Sequence, residues 1–130
     1  MAISDRVGVV ELHLQSYHGS HSILPSDTGG KGEKVRTTSL DEVIRGYNLP
    51  GVDFVKIDIE GAELLALQGM STLLSSKRRP IVLVEVHPPN LPEELSSLLN
   101  QNGYRCKLLD AEFTNAVHAA PVHLLARVET

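Results

Sequence analysis

The sequence predicts an α/β fold, because apolar strands and amphipathic helices alternate along its second half. Residues 52–59 and 80–88 are short apolar runs typical of buried strands, and residues 62–76 between them place leucines at helical spacing. A second unit follows, with a helix predicted at 91–103 and a strand at 104–110. Strands connected through a helix lie parallel with a right-handed crossover, so the two units predict neighbouring parallel strands in one sheet.

The first half of the chain carries shorter elements. Residues 7–15 alternate apolar and polar side chains and predict a half-exposed strand, whereas the Gly-, Ser- and His-rich residues 18–34 predict a loop. A short helix is expected over 40–46, because Ser39 stands at its N-cap with Glu42 three residues later, the capping-box spacing. Two more extended segments are predicted, at 35–37 and 122–128.

Composition excludes several classes of protein. A formal charge of −4, with 12 Lys and Arg residues, argues against a nucleic-acid-binding surface. No run approaches the roughly 18 apolar residues of a membrane span, and the N-terminus lacks the features of a signal peptide. Cys106 is the single cysteine, so we expect a reducing compartment and a thiol packed as a small hydrophobe in a strand. We therefore predict a cytoplasmic protein in which residues 1–130 form a single domain.

The hydrophobic core is expected to form between the predicted sheet and its helices. The nearly continuous apolar run 80–88 is typical of a strand that helices cover on both faces. The residues predicted to form the core are Leu64, Leu67, Ile81, Leu83, Val84, Leu95 and Leu98.

Acidic side chains gather where the strand 52–59 ends. Lys56, Asp58 and Glu60 share one face of the strand, and Gly61 permits a tight turn into the next helix. In open α/β sheets, ligands bind at the carboxyl ends of the strands. Asp58 is therefore predicted to be a site residue, since a carboxylate within an apolar strand has no capping role.

The neighbouring polar residues allow two interpretations each. Glu63 is either a site residue or only a cap in the first helical turn, and Lys56 is either part of the site or only an ion-pair partner of Asp58 or Glu60. His87 follows the next strand, on the same face as Glu85. It is either a neutral imidazole paired with a carboxylate, or a ligand or general base in the same cleft as Asp58.

Two segments resemble the core of FkbM-type methyltransferases. They are VDFVKIDIEGAELLALQGM at 52–70 and PIVLVEVHP at 80–88. The resemblance implies transfer of a methyl group from S-adenosylmethionine to a hydroxyl of a small molecule or sugar. It also implies part of a Rossmann-like class I methyltransferase sheet, mostly parallel with an antiparallel strand near the C-terminus. GGKG at 29–32 does not fit the family's glycine-rich cofactor turn, so the chain is expected to match the C-terminal part of the domain, without the N-terminal cofactor-binding half.

The resemblance also implies roles for individual residues. Asp58 and His87 are expected to act in catalysis, and Asp58, Glu60, Gly61 and Glu63 to bind the cofactor. A non-catalytic remnant or assembly module that lacks cofactor binding is the alternative. The methyltransferase hypothesis assigns no metal, but a third hypothesis makes Asp58, Glu60 and His87 the ligands of a divalent cation.

The resemblance has a consequence for assembly. In the family's sheet the strand 52–59 is central, so without its first neighbour one edge of this strand is bare. An apolar strand edge is a template for pairing with another chain. We expect a homodimer through this edge, with coverage by the strand 7–15 as the alternative. The other partner is the small-molecule or sugar acceptor, and neither a nucleic acid nor a membrane is expected.

Overall fold

The computed structural model describes residues 1–13, 32–109 and 122–129, and forms a mixed α/β structure with two sheets and four helices within these ranges. The helix at Leu40–Gly46, and those at Glu63–Gln68, Ser71–Leu74 and Pro92–Gln101, are α1 to α4. The strands β1 to β7 lie at Ala2–Ile3, Gly8–His13, Gly32–Thr38, Phe54–Ile57, Ile81–Val86, Arg105–Leu109 and Val122–Arg127.

The larger sheet has the strand order β4-β5-β7-β6. β4 and β5 pair in parallel, while β7 pairs antiparallel with both β5 and β6. β4, β5 and β6 therefore run in one direction and β7 runs against them, so the expected antiparallel strand near the C-terminus is present. It lies inside the sheet, and only one of the three hydrogen-bonded strand pairs is therefore parallel.

The smaller sheet has the order β1-β3-β2 and uses residues that the sequence assigned to a loop. β2 pairs antiparallel with β3 along its whole length, from Gly8 opposite Thr37 to His13 opposite Gly32. The prediction of a loop extending to residue 34 was wrong for Gly32–Lys34, because β2 needs those partners. β2 and β4 belong to different sheets, so within the described residues the alternative in which the strand 7–15 covers the edge of β4 is also wrong.

The four-stranded sheet has one covered face, which we call the inner face, and one outer face. The inner face carries Val82, Val84 and Val86 of β5 beside Leu124 and Ala126 of β7, all buried. They form one core cluster with side chains of α2, α3 and α4. On the outer face Phe54 is 53% exposed and Ile81 is 44% exposed.

Within the described residues, helices cover only the inner face of the sheet, and this explains which of the predicted core residues are buried. Leu67, Val84 and Leu95 are fully buried, as predicted. Leu64 and Leu98 are partly buried against the cluster, and Leu83 is half-buried. The prediction for Ile81 was wrong, because side chains alternate along β5 and the described residues place no helix over its outer face.

The predicted helix 62–76 is interrupted and forms α2 and α3, which the turn at Gly69–Met70 separates. Gly69 lies against the smaller sheet, and an added Cβ would stand 2.2 Å from the carbonyl oxygen of Ser4. Its own carbonyl accepts a hydrogen bond from the backbone of Asp41. The close approach of three segments to this glycine thus occurs where the helix breaks.

The other helix ends follow the sequence signals. The Ser39 hydroxyl accepts the backbone N–H of Glu42 at the start of α1, as the capping pattern predicts. Gly103 adopts a φ of 79° just after α4, a conformation that glycine reaches without strain. None of the helices in the described part of the chain is long and apolar enough to span a membrane.

Candidate functional site

Three of the predicted site residues meet at the carboxyl ends of β4 and β5. Asp58 and Glu60 follow β4, and His87 follows β5. Because the two strands are adjacent and parallel, their ends reach the same edge of the sheet. One ligand-type atom from each of the three side chains lies within 4.8 Å of the others. The structure therefore brings Asp58, Glu60 and His87 into one cluster.

Glu63 lies behind this cluster, with none of its surface exposed. Its Oε1 lies 2.8 Å from Nδ1 of His87 and accepts the backbone N–H of Gly61 at 3.1 Å. Its Oε2 accepts the side-chain amide of Asn90 at 2.5 Å. Glu63 is thus more than a cap on α2, because its carboxylate holds the imidazole of His87.

Asn90 joins the two strand-end loops, and the sequence reasoning missed it. Besides Glu63, its amide donates to the carbonyl oxygens of Gly61 at 2.7 Å and His87 at 3.1 Å. Glu60 and Gly61 both have positive φ, 55° and 101°, and positive φ is uncommon for a residue other than glycine. In the sequence, the one feature that could have pointed to Asn90 is its position shortly after His87, behind Pro88 and Pro89.

The second nitrogen of His87 faces further carboxylates. Nε2 lies 3.5 Å from Oε1 of Glu85 and 3.9 Å from Oε2 of Glu60. Glu85 also lies 3.4 Å from Nε2 of His123, its cross-strand partner on β7. His123 was not predicted to belong to the site, because its distance along the chain gave no sign of this pairing.

The carboxylates and cations of the cluster shift each other's titration. Burial lowers the pKa of His87, but the hydrogen bond and charge of Glu63, with the charges of Glu60 and Glu85, outweigh it and leave this pKa raised. The hydrogen bond from Lys56, at 2.9 Å, lowers the pKa of Asp58 against the opposing effect of burial. The same hydrogen bond raises the pKa of Lys56. The distance of 2.9 Å between Nζ of Lys56 and Oδ2 of Asp58 shows that Lys56 forms an ion pair with Asp58.

The two ring nitrogens of His87 lie in different surroundings. Glu63 and Asn90 hold the imidazole on its Nδ1 side, while Nε2 of His87 lies on the side of Glu60 and Glu85, and Asp58 and Glu60 are partly exposed. An anchored imidazole beside an ionised carboxylate can accept a proton, orient a hydroxyl or bind a cation.

The remaining histidines of the sequence are not part of the described cluster. His18, His21 and His118 lie outside the described residues, and only the backbone of His13 is described.

Comparison with known proteins gives the family. The profile described as "Methyltransferase FkbM domain" matches residues 3–106. The chain is 32% identical over 97 residues to a protein from Haloferax volcanii named hexuronic acid methyltransferase AglP, and the match covers 68% of this chain and 40% of that protein. It is also 32% identical over 92 residues to AMB antimetabolite synthetase AmbE of Pseudomonas aeruginosa.

That second match covers 66% of this chain and 4% of the synthetase. The chain thus spans less than half the length of either relative. No solved structure matches significantly. The match to the family profile covers most of the sequence, and the chain belongs to the FkbM methyltransferase domain family.

Proposed function

We propose that the protein takes part in the transfer of a methyl group from S-adenosylmethionine to a hydroxyl group of a sugar or another small molecule. The observation that carries the proposal is the convergence of Asp58, Glu60 and His87 at the carboxyl ends of two parallel strands. Family membership and the name of the Haloferax relative support methyl transfer, and that name also supports a sugar-type acceptor.

The sheet supports a Rossmann-like arrangement. β4 and β5 form the parallel pair expected beside the site, and β7 runs against the other three strands. Ligands of open α/β sheets bind at such carboxyl ends. We propose that the four-stranded sheet is part of a class I methyltransferase sheet.

The charges of the cluster fit the proposed cofactor. S-adenosylmethionine supplies a methyl group bound to a positively charged sulfur, and a cluster rich in carboxylates suits a cationic group. Asp58 and Glu60, with the turn at Gly61, would hold it, and Asp58 stays ionised because Lys56 lowers its pKa. Glu63 has no exposed surface, so we assign it an indirect part, through His87.

His87 and Asp58 would act on the acceptor. Glu63 fixes Nδ1 of His87, so the neutral ring presents Nε2 as the position that takes the proton of the acceptor hydroxyl. Asp58 would accept a hydrogen bond from the acceptor and orient it. Asn90 holds the carboxylate of Glu63 and the loop that carries His87, so both residues position the base.

The test measures binding and transfer separately. Calorimetric titration with S-adenosylmethionine separates the proposal, which requires saturable binding, from the alternative module that lacks the cofactor-binding half and should show none. Incubation with uronic-acid sugars should transfer a labelled methyl group if the proposal is correct. His87→Gln should reduce transfer by about 10²–10⁴-fold while cofactor binding persists. Asp53→Asn, which changes an exposed carboxylate at the other end of β4, is the matched control and should leave both unchanged. An absence of cofactor binding would contradict the proposal.

A second candidate function, assembly through β4, has an observation of its own. Within the described residues, β4 pairs with β5 on one side and with no strand on the other. An apolar pocket of about 110 Å³ lies beside it, and its lining includes Ile3, Leu40 and Ile59. We propose that this edge pairs with the same edge of a second copy, because an unpaired apolar strand is a template for strand addition.

Light scattering tests the dimer. A dimer should have twice the chain mass of 14.2 kDa at micromolar concentration, with the β4 amides protected from hydrogen exchange. A monomer with freely exchanging β4 amides would contradict assembly through this edge and leave the methyltransferase proposal intact.

A further inference from the structure

We propose that Asp58, Glu60 and His87 form a site for one divalent cation that accepts oxygen and nitrogen ligands together. The three ligand-type atoms already lie within 4.8 Å of one another, and Nε2 of His87 is 3.9 Å from Oε2 of Glu60. A cation about 2.0–2.6 Å from each ligand holds neighbouring ligand atoms roughly 3–4 Å apart. Side-chain rotation of about 1 Å therefore completes the site, without any movement of the strands.

The orientation of His87 is the second observation, and it involves residues outside the ligand set. Glu63 is fully buried and accepts from Nδ1 at 2.8 Å, so the proton of the neutral ring resides on Nδ1 and the lone pair of Nε2 points into the cluster. Histidines that bind metals almost always donate their other ring N–H to a carboxylate or carbonyl in this way. Asn90 in turn fixes Glu63 through Oε2 at 2.5 Å.

Several carboxylates surround the three ligands within the described part of the chain. Glu63 and Glu85 both contact His87, which adds two carboxylates to those of Asp58 and Glu60. Lys56 pairs with Asp58, and His123 pairs with Glu85. Among the described residues, four carboxylates therefore lie at or next to the three ligands, and a divalent cation would be attracted to them.

The ammonium group of Lys56 would compete with a bound cation for the carboxylate of Asp58. Its ammonium holds Oδ2 of Asp58 at 2.9 Å, and a cation must either take the other oxygen or displace it. Removal of the ammonium should therefore strengthen cation binding, whereas a purely structural cluster would only lose an ion pair. This gives the proposal a variant that gains binding.

The ligand set indicates the class of metal. Two carboxylates and one imidazole suit a cation such as Mn²⁺, which accepts carboxylate oxygen and tolerates nitrogen. Bound by these residues, such an ion would supply Lewis acidity to an acceptor hydroxyl, in place of the base role proposed for Nε2 of His87. That role rests on the proposed methyl transfer, whereas binding of the ion does not.

Mn²⁺ is the probe, added to the full chain after treatment with a chelator. Calorimetry should show one ion bound per chain. Paramagnetic broadening in ¹H–¹⁵N spectra should be strongest for the amides of residues 58–63 and 87–90. This map locates the ion on the unaltered protein, so it does not depend on whether any variant folds.

Substitutions then identify the ligands. Asp58→Asn, Glu60→Gln and His87→Ala should each weaken binding by more than about tenfold, and Glu63→Gln by about tenfold through loss of the imidazole's orientation. Lys56→Met should tighten binding. Asp53→Asn on the same strand is the matched control and should bind as the unaltered chain does.

Three results would overturn the site: no saturable Mn²⁺ binding, broadening centred away from residues 58–63 and 87–90, or unchanged affinity in folded His87→Ala and Asp58→Asn proteins. The outcome is separate from that of the proposed function. Mn²⁺ binding without S-adenosylmethionine binding would support the cation site and contradict methyl transfer. S-adenosylmethionine binding without Mn²⁺ binding would contradict the cation site and support the methyl-transfer proposal.

Discussion

The two faces of the four-stranded sheet differ although the same strands build both. The inner face carries buried aliphatic side chains, such as Val82 and Val84 on β5. The outer face carries exposed Phe54 and Ile81, and at its carboxyl end the charged pair of Lys56 and Asp58. Side chains alternate along a strand, so of two adjacent residues one packs in the core and the next lies on the outer face.

This difference places the apolar core on one face of the sheet and the exposed and charged side chains on the other. Apolar burial stabilises the fold roughly in proportion to the area removed from water, and that burial lies on the inner face. Glu85 and His123 are cross-strand partners on the outer face, and they connect with His87 at the edge. Substitutions on the outer face should therefore change binding with little loss of stability.

Leu124 and Leu125 test this separation most directly, because they are adjacent leucines on β7. Leu124 is 1% exposed on the inner face, whereas Leu125 is half-buried on the outer face. Leu124→Ala should lower the free energy of unfolding by about 2–5 kcal/mol, through lost burial and a cavity. Leu125→Ala should cost less than about 1 kcal/mol. Urea denaturation measures both, and equal losses would contradict the one-sided core.

Gly69 and Gly46 form the next pair, at the ends of α2 and α1. A Cβ on Gly69 would stand 2.2 Å from the Ser4 carbonyl oxygen, whereas a Cβ on Gly46 meets nothing within 4 Å. Gly69→Ala should destabilise the protein by about 1–3 kcal/mol, because the added methyl group would overpack against the Ser4 backbone. Gly46→Ala should change stability by less than about 0.5 kcal/mol. Similar thermal unfolding of the two variants would show that Gly69 is not a tight contact.

Local signals in the sequence identified most elements of the fold. The cap of α1 at Ser39, the strand at β5 and the end of α4 near Gly103 depend on residues only a few positions apart. The break at Gly69 and the placement of β7 between β5 and β6 depend on contacts between distant segments. The periodicity of apolar residues along the sequence carries no information about contacts between distant segments.

The same distinction applies to the site. The sequence located the ends of two strands, and adjacent parallel strands end at the same edge of a sheet. It therefore predicted that Asp58, Glu60 and His87 meet there. The hydrogen bonds of Asn90 and the pairing of His123 depend on loop geometry and strand order, for which the sequence carried no signal. For Ile81, a continuous apolar run could not show that only one face of the sheet is covered.

His87 should titrate above its ordinary pKa of 6.5, because Glu63 and the nearby carboxylates stabilise the imidazolium more than burial destabilises it. The stability that this provides is present in full below about pH 6.5 and is lost as pH rises through the raised value. NMR titration with chelator present measures the pKa, and denaturation at several pH values measures the stability.

Glu63→Gln should lower the pKa of His87, since a neutral amide does not stabilise the imidazolium. Asp53→Asn should not change it, because Asp53 lies at the other end of β4. A His87 pKa below 6.5 in the unaltered chain would contradict the contact with Glu63.

Cys106 gives the smallest expected effect, on reactivity rather than stability. The thiol lies partly buried against the core cluster on β6, which confirms its predicted packing as a small hydrophobe in a strand. Burial raises its pKa against the opposing hydrogen bond to Ser96, and the thiolate is the reactive form. The folded chain should therefore react with a disulfide reagent several-fold more slowly than the urea-unfolded chain or free glutathione. If the folded chain reacts as fast as glutathione, Cys106 is not packed on the inner face of the sheet. The difference between a buried inner face and an exposed outer face would then not extend to β6.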